Sequence, residues 1–431
     1  MEYCKILILG SLPYKQNAQS RAFDSYFHYW PKEKLHQFFS SPFPPSKGHC
    51  SQFYQITDYR ILKRNFNRKI RVGKIFYDIE LASFQDKTIL DSNSSKFYKL
   101  GKHKTPLKRL FRKFIWKKKY WCSKEFVKWV EDFCPDVVFL AWSDDFYMLN
   151  IANFVCKNYD LPLISCVGDD YYFNNHFSLS PFYWIYRFKY KKLAKKVLQL
   201  NGSHVYISDK IRNKYNEYFS VSGQTIHVSC ERQQISQWVP KKVENMVYFG
   251  NLVGYGRYKT LMTFANIINN KQKNIKIHIY SNEQNEQVLK QIKNVKNIVF
   301  HGSIPYESIK DKVTDYDCLI IAEELSKKKI IRDVKYSLST KVGDSLSFGI
   351  PIIAIGNIEC GTIEFIKNTN TGIVLGTKKD ISSFSFDGIS SSVIQIMLDN
   401  AKNILAKEFN KEKSCETFKK IVDSVCNQKE K

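Results

Sequence analysis

The chain has 431 residues, 43% apolar and 25% charged, enough for two or three packed domains, which excludes a fibrous or disordered protein. No run approaches the ~20 apolar residues of a membrane helix. The apolar start at residues 6–9 is too short for a signal peptide, so a cytoplasmic protein is expected. Net charge is +26 and uneven: residues 1–240 hold 38 Lys and Arg against 20 Asp and Glu, and residues 241–431 hold 29 against 21. A basic N-terminal half suits an anionic partner, and the plainer alternative for the total charge is a coding bias, since the chain is rich in Lys, Asn and Ile and poor in Ala.

Strands and helices alternate. Residues 5–9 read as a first buried strand, followed by a polar loop at 11–17, an amphipathic stretch at 19–30 and a second strand at 35–39. Residues 40–130 show no clear period. The apolar run within 136–142 suits a buried parallel strand, 161–167 reads as another buried strand, and a helix is expected over 145–158 between them. A basic, aromatic helix is expected over 181–200, then strands at 205–207 and 225–228 around a helix capped by Ser208 or Asp209.

Residues 238–242 read as a linker. A second series follows, with strands at 246–249, 275–280, 298–300, 318–321, 352–355 and 372–375. Helices are expected over 258–268, 283–292, 308–313, 339–348 and along the tail at 389–426. Strands separated by single helices make βαβ units with right-handed crossovers. The expected fold is α/β: two Rossmann-like, doubly wound parallel-sheet domains facing a cleft. The expected domains are residues 1–235 and 236–408, with 409–431 returning to the first. In such sheets ligands sit beyond the carboxyl ends of the strands. The eleven cysteines form no Cys-x-x-Cys pair and suit buried thiols in a reducing compartment.

Two segments carry phosphate chemistry. In Gly250-Asn251-Leu252-Val253-Gly254-Tyr255-Gly256-Arg257-Tyr258-Lys259 a strand ends at glycine and two cations open a helix. Glycines admit backbone amides to a phosphate, and Arg257 and Lys259 add charge. The pattern matches neither the P-loop nor the dinucleotide fingerprint. A flexible surface loop with solvated charges is the plainer alternative. In the second segment Ser339 or Thr340 caps a helix whose first turn holds Lys341, where a cation opposes the macrodipole unless an anion is near. Asp344 lies one turn on. That set suits a sugar nucleotide, with diphosphate on Lys341 and ribose on Asp344. An ordinary capped helix is the alternative.

Ser339-Thr340-Lys341, then Asp344, Gly349 and Pro351-Ile352-Ile353, resembles the donor segment of GT-B glycosyltransferases of the retaining, group-1 (family four-like) type. That family usually has Glu where Asp344 stands, and its second carboxylate falls on Ser337, with Glu323, Glu324 and Asp333 nearby in sequence. The 250–259 loop resembles the family's diphosphate loop. Residues 205–210 resemble its last N-domain strand and helix, and 300–304 the strand before its nucleobase loop. The resemblance implies transfer of a sugar from a nucleoside-diphosphate sugar to a glycan or lipid-linked acceptor, in cell-surface polysaccharide synthesis. Arg257, Lys259 and Lys341 would serve the leaving diphosphate, with no cofactor and no metal. Gly250, Asn251, Ser339, Thr340, Asp344 and His301 would bind the donor. Asp169 and Asp170, after a buried strand, would work near the reacting carbon or form an Asx turn; His176 lies close by. By position, the loop from Gly10 to residue 17 would hold part of the acceptor.

Residues 108–121 and 182–196 interleave cations with aromatics and suit an anionic membrane surface, with nucleic acid the less favoured partner. Peripheral attachment at the inner face of the plasma membrane follows. The competing reading is a non-catalytic membrane- or nucleic-acid-binding protein on a degenerate GT-B frame.

Overall fold

The computed structural model describes residues 2–10, 18–43, 49–78, 93–96, 105–230, 239 and 242–427. The polar loop at 11–17, most of the linker at 238–242 and the expected domain break at 235/236 lie outside them. The chain divides into two compact units: Met1–Ile226 with Ser414–Lys431, and His227–Lys413.

The first unit holds eight strands: β1 (Ile6–Leu9), β2 (Leu35–Phe39), β3 (Gln52–Ile56), β4 (Gly73–Tyr77), β5 (Val137–Ala141), β6 (Leu163–Val167), β7 (Gly202–Tyr206) and β8 (Gly223–Thr225). Their order is β4-β3-β2-β1-β5-β6-β7-β8. Every pairing is parallel except β3 with β4, which makes an antiparallel edge. Ile6, Ile8, Phe139 and Ile164 pack into a core with Phe27. The last helix, Lys411–Asn427, adds Phe418, Ile421, Val422 and Val425 to that core. The ring of Phe418 meets Tyr26, Phe27 and Phe139 at centroid distances of 5.3, 5.1 and 5.7 Å.

The second unit holds β9 (Asn245–Phe249), β10 (Lys276–Tyr280), β11 (Ile298–Gly302), β12 (Cys318–Ala322), β13 (Ile352–Ile355) and β14 (Ile373–Leu375). They are all parallel, in the order β11-β10-β9-β12-β13-β14. Successive residues alternate between two cores. Val247, Leu319, Ile321, Ile352 and Ala354 enter one, and Met246, Cys318, Ile320, Ile353 and Ile355 the other. Both faces of this sheet are therefore covered, as a period of two buried on both sides requires. Each unit is Rossmann-like, the fold class expected from the sequence. The strand order reverses beside β1 and beside β9, which puts the loops after those strands at the switch points.

Within residues 40–130, which lack a clear period, the described residues include β3, β4 and the helices Asp58–Phe66, Pro106–Ile115, Lys118–Trp121 and Lys124–Phe133. Their caps are visible in the sequence: Thr57, Thr105 before Pro106, and Ser123 each accept a bond from the amide three residues on. Helices Lys328–Val334, Gly361–Thr369 and Lys378–Ser383 were also not expected. The tail is two helices, Ser391–Glu408 and Lys411–Asn427. They break at Phe409, whose ring is buried in a core of the second unit and stacks on His227.

Candidate active site

The loop after β9 begins at Gly250, whose φ is +150°, and its amide donates to Tyr280 O at 2.9 Å. A Cβ on Gly250 would collide with Nζ of Lys341, so the glycine leaves room for that amine beside the backbone. Lys341 Nζ donates to Phe249 O at 3.3 Å and lies 5.8 Å from the ring centroid of Tyr248. Tyr248 donates its hydroxyl to Asn251 O at 2.8 Å.

Lys341 opens a helix, Lys341–Ser347, that is only two turns long. Thr340 stands at its N-cap in helical conformation without a side-chain cap bond, and Ser339 Oγ accepts from Lys341 N at 3.4 Å. A macrodipole this short is weak, so the site depends on its cations. Asp344 is almost buried on the same helix and accepts from the hydroxyl of Tyr306 at 3.0 Å. Tyr306 belongs to a single helical turn, Tyr306–Ser308, and had no sequence signal.

Arg257 opens the helix Arg257–Lys271 behind Gly256, which takes φ +72°. Its guanidinium makes a two-pronged pair with Glu323 at the end of β12: Nε to Oε2 at 3.3 Å and Nη2 to Oε1 at 2.9 Å. Thr260 of the same helix donates to Glu323 O at 2.7 Å. Burial opposes the charge on Arg257, but Glu323 and Tyr248 together raise its pKa. Burial raises the pKa of Tyr248 well above the ordinary phenol, and Arg257 pulls it back. Tyr248 is thus the common neighbour of Lys341 and Arg257. Glu324 Oε1 accepts from the amides of Ser326 and Lys327, and among the described residues its buried Oε2 has no hydrogen-bond partner.

The other expected residues are distributed differently. Lys259 is exposed, with its amine over the ring of Tyr258. His301, on β11, shares a 2.8 Å hydrogen bond with His278 and stacks on Tyr280 at 4.6 Å. Burial followed by the charge of Lys312 lowers its pKa. Burial, His301 and Lys276 take His278 down to about 4.

In the first unit Asp170 closes a turn after β6. Its Oδ1 accepts from Phe173 N at 2.9 Å and from Tyr215 Oη at 3.0 Å. Burial raises its pKa despite those bonds. Arg187 pins the same loop by donating to the carbonyls of Tyr171 and Tyr172 at 2.8 and 2.6 Å. Asp169 accepts from Tyr171 Oη at 3.3 Å, and the amide of His176 donates to Tyr183 Oη at 2.9 Å.

Comparison with solved structures places this architecture. Anabaena HepE in complex with UDP aligns over 97% of this chain and 100% of its own, at 11% identity and a TM-score of 0.60. A glycosyltransferase from Rickettsia africae aligns over 98% and 99%, at 11% identity and a TM-score of 0.58. The chain spans 58% of the length of S. aureus TarM, which aligns over 69% of this chain at 14% identity and a TM-score of 0.46. No protein-family model and no curated protein matches the sequence. The likeness is one of fold, the two-domain Rossmann-like fold of GT-B glycosyltransferases.

Proposed function

We propose that the protein is a glycosyltransferase that binds a nucleoside-diphosphate sugar at the loop after β9 and transfers the sugar to a glycan or lipid-linked acceptor. The observation that carries this reading is the placement of the Lys341 amine over Gly250, at a switch point of a parallel sheet. Backbone, ammonium and the nearby Arg257–Glu323 pair meet there around one tyrosine. HepE has been solved with UDP and with UDP-glucose, which makes a uridine diphosphate the first donor nucleotide to try.

Breaking a glycosidic bond to a diphosphate builds negative charge on the leaving oxygen. In this reading Lys341 meets that charge directly, as a fixed donor already in place. Arg257 brings a second cation whose orientation is held by Glu323. The cations take the role that a divalent metal plays elsewhere. Asp344, oriented by Tyr306, accepts from the donor's ribose hydroxyls, and His301, exposed on the edge strand β11, is offered for the base. A retaining outcome and a place in cell-surface polysaccharide synthesis belong to the same proposal and rest on the resemblance of the 339–353 segment.

The test is thermal shift with a panel of nucleoside diphosphates, followed by slow hydrolysis of the matching sugar nucleotides. A nucleotide at 100 times its dissociation constant adds about 2.7 kcal/mol of stability. Asp344→Asn is expected to weaken nucleotide affinity, with little change in the rate at saturating donor. A panel in which no nucleotide shifts the wild type, or in which Lys341→Ala shifts equally, overturns the proposal.

A further inference from the structure

The two basic-aromatic helices of the first unit have an inner and an outer side. Pro106–Ile115 and Pro181–Leu198 pack together, and Arg109 donates to Tyr186 Oη at 2.9 Å and ion-pairs with Asp144. Arg112 bonds Asp58 at 2.8 Å and Asp145 at 2.6 Å. These two arginines therefore hold the fold together. The outer residues have another character. Leu107, Phe111 and Phe114 recur at helical spacing on the first helix, and Phe182, Ile185 and Phe188 on the second, all exposed. Phe188 is 71% exposed and Phe114 59%, values that are rare for side chains with no polar tip. Neither helix contains an acidic residue.

Beside this apolar face lies a hollow of about 440 Å³ into which Lys113, Lys117, Lys118 and Lys157 contribute. No acidic side chain lines it. Lys117 joins the two features: it lines the hollow, and its amine sits 3.8 Å from the ring centroid of Phe114. Burial, and after it the neighbouring Lys189, lower the pKa of Lys113.

We infer that this face seats the first unit on an anionic lipid bilayer. The outer Phe, Leu and Ile side chains enter the headgroup boundary, and the lysine-lined hollow takes a lipid phosphate. Rings such as Phe111, Phe188 and Trp184 also stack nucleobases, but the exposed aliphatic Leu107 and Ile185 on the same helices gain only from an apolar boundary. Cations flanking exposed apolar side chains are what a charged interface selects. Among the described residues no helix is long and apolar enough to cross a membrane. The contact is thus an adsorbed one, and it does not depend on the sugar-transfer reading, because it is measured without donor.

The experiment is co-sedimentation of the full chain with phosphatidylcholine vesicles, with and without phosphatidylglycerol, at low and high salt. Two paired variants accompany it, Phe111→Ser with Phe188→Ser and Lys117→Gln with Lys157→Gln. All four positions are surface ones, and melting curves confirm folding. The wild type is expected to bind the anionic vesicles at least about tenfold more tightly than the neutral ones, and each paired variant to lose about tenfold. Equal binding to both vesicle types, or none, overturns the inference. So does tighter binding to a single-stranded oligonucleotide than to vesicles, or inorganic phosphate stabilising the chain as well as vesicles do while the Phe pair changes nothing. A wild-type dimer that the Phe pair turns into a monomer, with vesicle binding unchanged, also overturns it.

Discussion

Gly10 and Gly250 occupy equivalent places in the two units. Each ends the first strand of its sheet with a positive φ, +119° and +150°, and each donates its amide to the neighbouring strand, to Phe38 O at 3.1 Å and Tyr280 O at 2.9 Å. What fills the space beside them differs. A Cβ on Gly10 would press on Ala141, whereas one on Gly250 would strike the Lys341 amine. The same backbone device packs hydrocarbon in one unit and a cation in the other. Glycine at a switch point is therefore a requirement of the fold first, and becomes chemistry only through its neighbour. The carboxylates after strands make the same point. Asp170 is engaged by Tyr215 and Phe173 N within a turn pinned by Arg187, while Glu323 reaches across to orient Arg257.

The largest effect that would sharpen this contrast is on stability. Arg257→Ala strands the buried Glu323 carboxylate without its partner, and about 3–5 kcal/mol should be lost from the second unit by urea unfolding. A loss below about 1 kcal/mol would mean that the pair is an exposed one in solution. Next is Lys341→Ala. Transfer should fall about 10²–10³-fold, equivalent to about 2.7–4 kcal/mol at the transition state. Stability should stay within about 1 kcal/mol, because a first-turn cation opposes the helix dipole. Full activity in this variant, with the donor identified, would place the diphosphate elsewhere.

Gly10→Ala and Gly250→Ala test the equivalence itself. The first should cost about 1–3 kcal/mol of stability, since Ala141 and its carbonyl cannot yield and the backbone conformation is strained for alanine. The second is strained for alanine as well, at φ +150°, but it meets the end of a flexible lysine instead of backbone, so some stability should be lost together with a fall in nucleotide affinity that Gly10→Ala does not share. If both variants behave alike, the difference between the two switch points has no consequence.

The smallest effect is with pH. Burial first of all takes His36, His49 and His204 of the first unit to about 4, and His278 of the second to the same value. Unfolded imidazoles take up a proton near 6.5, while these do so only near 4. Stability is then complete above about pH 6.5 and declines as pH falls toward 4. Among the described residues three such groups lie in the first unit against one in the second, where His301 is lowered as well, so the first unit should open earlier on acidification. Asp170, raised by burial, offsets part of this. Amide hydrogen exchange read over each unit at neutral and mildly acid pH decides it, and earlier opening of the second unit would contradict the assignment.

Charge separates the units as well. Residues 1–226 and 414–431 carry 41 Lys and Arg against 22 Asp and Glu, and residues 227–413 carry 26 against 19. That imbalance was visible in the composition, but composition could not say which cations hold the fold and which face outward. Arg109 and Arg112 sit among the lysines of one helix and are spoken for by Asp144, Asp58 and Asp145.

Most strands of the two sheets, though neither β3 nor β4, were legible in the sequence. The runs of β5 and β13 are apolar at every position, and those of β6 and β9 at all but Ser165 and Asn245, a pattern that at that length suits a strand covered on both faces. The sequence also marked Gly250, Lys341 and Asp344, because a glycine after a strand and a first-turn cation violate local preference. The edge of the first sheet and the helices between residues 50 and 133 escaped, since β3 and β4 are part-polar and the helices' apolar faces are set by partners far along the chain. Only the tertiary structure decided the company each site residue keeps. Arg257 meets a carboxylate 66 positions away, Asp344 a phenol 38 positions away, and Lys341 a carbonyl 92 positions away. Periodicity reports the face a residue shows to the core. It carries no information on which distant polar group arrives at the same end of a sheet, because strand order and crossover path fix that.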